Sequence, residues 1–204
     1  MPELKLYYFN GGNRVLVSRL ILAAAGVDYE FIQVTRDTWP EQKSTFPFGQ
    51  LPALSVDGKR FGQSIAIQAY LAREYGLYGS NNIQRLEIDQ LVQLREDFSR
   101  ESHLGPRDRD PEKKAEREKH LSENVYPLYL GYFRKFLLEN GTGFAVGDQL
   151  SLADLVLYEA TSSLVRRNAE LLQKYPEILA HREKVEELPR IREFLATSGE
   201  TARV

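Results

Sequence analysis

The spacing of apolar residues changes period repeatedly along the first third of the chain. Leu4, Leu6 and Tyr8 alternate with Lys5 and Tyr7, the two-residue period of a half-buried strand. From about Arg14 to Ala25 the period lengthens: Val15, Leu16, Leu20 and Ala23 fall near helical spacing, and Gly26 supplies a stop. Residues 29–34 return to strand character. Strand, helix and strand in this order predict a right-handed crossover and a parallel pair. A polar connection covers 35–47. Leu51-Pro52 then opens an extended segment, and an X-Pro bond there is a candidate cis peptide. Asp57-Gly58 between two short apolar runs signals a hairpin. A helical pattern over 64–75 follows, with Ser64 placed to cap it.

Gly79-Ser80-Asn81-Asn82 has the composition of a linker, and everything beyond it is helical in pattern. Leu91, Leu94 and Phe98 mark one stripe. Val125, Leu128, Tyr129, Tyr132, Phe133, Phe136 and Leu137 mark a second, ended by Gly141. The dense run of both charges from Arg107 to Lys119 reads as a solvated loop and helix start. Ser151 followed three residues later by Asp154, with Leu150 and Leu155 flanking, predicts a capping box with a hydrophobic staple. The helix it starts is apolar nearly all round over 152–165, as a central buried helix would be. Ile178, Val185 and Leu188 mark another helix, and Ile191, Phe194 and Leu195 pack the tail.

Composition narrows the function. The 204 residues are 42% hydrophobic and 27% charged, which suits a soluble globular protein. A net charge of −2 argues against nucleic acid as partner. There is no cysteine, which removes disulfides, thiolate metal sites and a cysteine nucleophile together. His103, His120 and His181 are scattered at no metal-binding spacing, so no metal is expected. No leader pattern and no membrane-length apolar run is visible, and the expected compartment is the cytoplasm.

The stretch from Phe46 to Ser64 carries the candidate chemistry. The loop backbone at residues 50–52 offers N–H and C=O groups to an extended peptide, and the helix start at Gln63-Ser64 offers N–H groups and partial positive charge to a carboxylate. Together they suit a small acidic peptide; an ordinary hairpin is the alternative. Tyr8 stands at the C-terminal end of the first strand, where open α/β sheets place their sites.

Tyr8-Phe9-Asn10, Arg14, Trp39, Lys43, Phe46-Pro47-Phe48-Gly49-Gln50-Leu51-Pro52, Val56-Asp57-Gly58, Gln63-Ser64 and Ser151-x-x-Asp154, in this order and spacing, resemble the cytosolic glutathione transferases, the sigma class most closely. The resemblance covers essentially the whole chain. It implies an α/β thioredoxin-like N-terminal domain (βαβ-ββα) over 1–77, a linker over 78–82, and an all-α C-terminal helical domain over 83–204. It implies a homodimer that takes reduced glutathione as cosubstrate, holds no tightly bound cofactor, and conjugates hydrophobic electrophiles without a nucleic-acid or membrane partner.

By the same resemblance Tyr8 is catalytic, its hydroxyl favouring the glutathione thiolate, and Arg14 supports it. A core tyrosine and a surface arginine are the plain alternatives. Trp39, Lys43 and Gln50 would hold the glycyl end, Leu51 and Pro52 the cysteinyl backbone, and Gln63 and Ser64 the γ-glutamyl carboxylate, with Gly49 also among the glutathione-binding residues. Asp97 would reach the γ-glutamyl amine across the dimer, or else be a solvated helix residue. Phe9, Gly12, Ser99, Leu104 and Val156 would line the electrophile cleft. A nucleophile that arrives with the cosubstrate also accounts for a cysteine-free chain. Gly12-Asn13 and Val15-Leu16 depart from the family pattern. Gln93, Glu96 and Asp97 stand where the prostaglandin-synthase branch has three acidic residues, so activation by a divalent ion is not expected; prostaglandin isomerisation stays as an alternative activity that the sequence does not favour. A low-turnover carrier and a crystallin-like structural protein are the others.

Overall fold

Strand β1 (Leu4–Phe9) lies at the centre of a four-stranded sheet ordered β2-β1-β3-β4. Strand β2 (Glu30–Val34) runs parallel to it, with Leu6 opposite Phe31 and Phe9 opposite Val34. Strands β3 (Ala53–Val56) and β4 (Lys59–Gly62) form the predicted hairpin, and β3 pairs antiparallel with β1, Tyr7 opposite Ala53. Asp57 and Gly58 take φ of 49° and 86° at its turn, the left-handed pair that an Asp-Gly sequence accommodates. This computed structural model describes residues 2–9, 13–103 and 110–198.

Helix α1 (Leu16–Ala25) follows a 3-10 turn at Asn13–Val15, so the regular helix begins later than the pattern suggests. It buries Leu16, Val17, Leu20, Ile21 and Leu22, each side chain contributing about 1.5–3 kcal/mol of hydrophobic stabilisation. Gly26 ends it at φ 65°, with the Arg190 guanidinium covering the last carbonyls and donating to Ala25 O at 2.6 Å. A Cβ on Gly26 would stand 2.3 Å from Arg190 Nη1, so space and φ both require glycine.

The connection after β2 carries a single helical turn, α2 (Trp39–Gln42), which Pro40 suits by entering at its start. Helix α3 (Ser64–Glu74) has Gln63 as its N-cap, not Ser64: Ser64 is already the first helical residue and is buried. The helical part comprises α4 (Asn82–His103), α5 (Pro111–His120), α6 (Tyr126–Asn140), α7 (Leu152–Arg167), α8 (Ala169–Leu172), α9 (Pro176–Glu187) and α10 (Pro189–Ser198).

Among the described residues, those up to Tyr78 and those over 188–198 form one compact unit, and those over 79–187 form another. Helix α10 packs on α1 in the first unit, with Phe194 and Phe31 both stacked on Arg19. In the second unit α7 packs on α4 and α9, and Phe98 of α4 stacks on Tyr126, Tyr129 and Phe133.

The capping box of α7 is formed and fully buried. Asp154 Oδ2 accepts from Ser151 N and Ser151 Oγ, each at 2.8 Å, and Oδ1 accepts from Ala145 N at 2.6 Å and His181 Nε2 at 3.0 Å. A second buried polar link joins α4 to α7. Arg95 donates from Nε and Nη2 to Glu159 Oε2 at 2.8 and 2.6 Å, and its Nη1 meets Glu96. Desolvation works against the Arg95 charge, but the two carboxylates outweigh it and hold its pKa above the ordinary arginine value. A third such group, Arg182, donates to Tyr158 O at 2.7 Å and Thr161 Oγ1 at 2.9 Å and lies over the Tyr158 ring. Among the described residues no helix is long and apolar enough to cross a membrane.

Candidate functional site

The first unit gathers most of the predicted site around the C-terminal end of β1. Leu6 and Tyr8 share one face of the strand, Tyr7 and Phe9 the other. Tyr8 is half-buried, its ring centroid 6.1 Å from that of Phe9. The register that pairs Tyr7 with Ala53 puts Tyr8 and Pro52 at the next positions of adjoining chains, and the Leu51–Pro52 bond is cis.

On the Tyr7 face the aromatic rings form a continuous file. Phe9 meets Trp39 at 5.4 Å, Trp39 meets Phe46 at 5.5 Å, and Phe46 meets Tyr7 at 5.3 Å, the first and last edge-on. With Val34, Ala53, Ile32 and Leu51 they make a small core that lies over the sheet. Edge-on rings favour this arrangement by about 0.5–1.5 kcal/mol per pair beyond their buried area. Phe9, expected in the electrophile cleft, therefore has its ring against Trp39.

The loop turns back at Phe48 and Gly49, both with positive φ (58° and 56°). Phe48 is 74% exposed. Gly49 makes room for Lys43: a Cβ there would lie 3.2 Å from Lys43 Cε. Lys43 thus crosses the Gly49 backbone with its ammonium in solvent. Gln50 and Gln63 come together, Gln63 Nε2 donating to Gln50 Oε1 at 3.3 Å. Gln63 holds φ 71° and ψ 108°, a backbone state that non-glycine residues occupy at a cost of about 1–3 kcal/mol. Its side chain does not cap α3, so the first N–H groups of an eleven-residue helix lie beside two amide side chains. That combination suits a carboxylate.

Trp39, Lys43, Gly49, Gln50, Leu51, Pro52, Gln63 and Ser64 thus belong to one loop-and-helix-start assembly, with Tyr8 on the adjoining strand. Arg14 is exposed in the turn before α1. Asp97, Ser99 and Val156 belong to the second unit. Asp97 is exposed and pairs with Arg100 at 3.3 Å. Ser99 is half-buried, and Val156, at 2% exposure, offers a ligand almost no surface. Gly12 and Leu104 lie outside the described residues. Glu96, one of the positions compared with the prostaglandin-synthase branch, is engaged by Arg95.

The sequence pattern did not single out Arg60 of β4. Its guanidinium lies 5.0 Å from the Tyr7 ring and 4.5 Å from the Phe46 ring, and Nη1 donates to Thr45 Oγ1 at 2.9 Å and Thr45 O at 3.2 Å. Its alternation with Phe61 across the hairpin was the available signal, but nothing in spacing names its partners in a loop 15 residues away.

A βαβ–ββα sheet unit with a cis-proline loop, followed in sequence by a helical unit, defines the class: a thioredoxin-like domain with an all-helical companion. Residues 2–73 match the family model described as the glutathione S-transferase N-terminal domain, and 96–198 match that of its C-terminal domain. The chain is 36% identical to probable glutathione S-transferase 5 of Caenorhabditis elegans, over 97% of each chain. It is 34% identical to S-crystallin SL11 of Nototodarus sloanii, over 99% of this chain and 100% of that one. It is 35% identical to the hematopoietic prostaglandin D synthase of Gallus gallus, again over 99% and 100%. The structure of monomeric Na-GST-3 from the hookworm Necator americanus superposes with a TM-score of 0.85 at 32% identity, over 96% of this chain and 97% of that one. The chain belongs to the glutathione S-transferase family.

Proposed function

We infer that this chain is a glutathione transferase of the sigma type, adding the thiolate of reduced glutathione to hydrophobic electrophiles in a cytoplasmic, detoxifying role. The observation that carries the reading is the Gln50–Gln63–Ser64 cradle at the start of α3, one strand away from Tyr8. The γ-glutamyl carboxylate sits at the α3 N-terminus. The cysteinyl backbone runs along Leu51 and Pro52. The glycyl carboxylate meets Lys43, with Trp39 beside it.

The Tyr8 hydroxyl then donates to the glutathione sulfur. A thiol that starts near the cysteine value of ~8.5 and falls by about two units gains roughly 2.7 kcal/mol for its ionised form. Its thiolate fraction at neutral pH rises from about 3% to about three quarters. Arg14 supports the hydroxyl electrostatically. Phe9, Gly12, Ser99 and Leu104 are the proposed electrophile contacts; Val156 is too buried to be one. The glutathione-binding domain is taken as 1–77, the linker as 78–82 and the helical domain as 83–204.

The working form is a homodimer. Supporting it are the exposed Phe48 ring on the first unit and, on the second, a groove of about 900 Å³ whose lining includes Leu86, Leu94, Asp97, Tyr132 and Phe136. In that dimer Asp97 meets the γ-glutamyl amine bound by the other copy. Prostaglandin isomerisation is the second reading, supported by the 35% identity to a protein of that name.

The test is a glutathione titration followed by ultraviolet difference absorbance for bound thiolate, from mildly acidic to mildly alkaline pH, on the unmutated chain and on Tyr8→Phe. A thiolate band at neutral pH, lost in the variant, is expected. Binding without the band makes the protein a carrier, and no binding makes it a structural relative of the crystallin kind.

A further inference from the structure

The loop from Thr35 to Gln50 supplies four of the proposed glutathione contacts, yet most of it is exposed and only Phe46 is fully inserted. Something must hold it on the sheet. Arg60 reaches out of β4 and does this in two ways. Its guanidinium covers the Tyr7 and Phe46 rings, and its Nη1 grips both oxygens of Thr45. The link continues, because Thr45 Oγ1 donates to Gln42 O at 2.8 Å, at the end of α2 and one residue before Lys43. Phe46 in turn touches Trp39. One side chain on the hairpin therefore holds the loop at Thr45 and Phe46 and, through them, reaches Gln42 and Trp39 at either end of the α2 turn.

We propose that Arg60 is a positioning residue for glutathione: it clamps the 39–49 loop in the conformation that receives the glycyl end of the tripeptide, without touching the tripeptide itself. The proposal rests on the glutathione reading above. A planar fork that stacks and donates to two oxygens at once is a task for arginine; lysine supplies the charge and rotatable donors but neither the planar face nor the fixed fork. The clamp is far from sulfur chemistry, since Tyr7 under Arg60 points to the sheet face opposite to Tyr8. It should therefore act on binding and leave the ionisation of the thiol alone.

The chain holds a single tryptophan, Trp39, inside the clamped segment, so its fluorescence reports the loop directly. The experiment compares the full chain with Arg60→Met, Arg60→Lys and, from the other side of the contact, Thr45→Val. Acrylamide quenching of Trp39 is measured without glutathione, and KM for glutathione and kcat are measured with chlorodinitrobenzene. Expected in Arg60→Met are stronger quenching, a KM raised about 3–10-fold, a kcat within about 2-fold of the parent and an unshifted pH profile of kcat. Arg60→Lys should recover part of the loss, and Thr45→Val should lose binding in the same direction but add little to Arg60→Met in the double variant.

An unchanged KM in folded Arg60→Met, or a kcat that falls with unchanged KM, overturns the proposal. Should Arg60→Met fail to fold, Thr45→Val decides alone: unchanged quenching and KM overturn the clamp. Absence of glutathione binding in the unmutated chain overturns the glutathione reading itself. It is told apart from failure of the clamp because it appears without any substitution.

Discussion

His181 Nε2 lies 3.0 Å from Asp154 Oδ1, and both side chains are sealed from solvent. A carboxylate can only accept, so Nε2 carries the hydrogen. Asp154 thereby ends three segments at once: the start of α7 through Ser151, the loop before it through Ala145, and α9 through His181. Asp154→Ala leaves all of these donors buried without an acceptor. It should destabilise the chain by about 3–5 kcal/mol, read from urea denaturation. Asp154→Asn keeps one acceptor oxygen and should lose less.

Gly26→Ala combines two faults, a residue with a Cβ at φ 65° and a clash with Arg190. The expected loss is about 1–3 kcal/mol in the same measurement. If Arg190 is the obstacle, Gly26→Ala will cost less in an Arg190→Ala background than in the parent, because the guanidinium that a Cβ would meet is gone and only the φ strain remains.

Gly49→Ala tests the floor under Lys43. The new methyl would sit 3.2 Å from Lys43 Cε at φ 56°, pushing the ammonium off its course. Glutathione affinity should fall by about 3–10-fold, while a glutathione analogue lacking the glycyl residue should bind both proteins alike.

Alkaline pH should expose a tyrosine of the second unit. Burial, then the 2.6 Å hydrogen bond donated to Glu101, raise the Tyr129 pKa far above the usual tyrosine value. The folded chain keeps this proton where the unfolded chain releases it. The contribution is thus complete below the unfolded value of about 10 and is lost as pH rises from there through the folded value. Thermal melts should show stability falling above that point, less steeply in Tyr129→Phe, and tyrosinate absorbance should show at least one hydroxyl that titrates only on unfolding.

Much of this could be read from the chain because local chemistry dictates it. Asp57-Gly58 can hardly avoid its turn, Gly26 and Gly141 end their helices in left-handed conformations, and Ser151 with Asp154 closes the capping box. Gln50, Pro52, Gln63 and Ser64 stand out for a different reason, their family spacing; the structure joins Gln50 to Gln63 and makes the Pro52 bond cis, as the sequence suggests for that bond. What escaped is the set of contacts made at a distance. The cap on α3 fell one residue early, because Gln63 takes a left-handed backbone that its side chain does not advertise. Arg60 sits on a short hairpin strand and Arg95 on a long charged helix, where spacing names no partner, and His181 reads as a scattered histidine. Each finds its role only when a partner many residues away is brought beside it.

The packing of α10 on α1 has a consequence for synthesis. The sheet unit begins at the first strand but receives its closing helix only after the whole of Gly79–Glu187 has been made. At ordinary translation speeds that interval is roughly 5–20 s. Throughout it, the α1 surface that α10 covers is open to chaperones, and a nascent chain interrupted in the helical unit presents the same uncovered surface to the quality-control machinery.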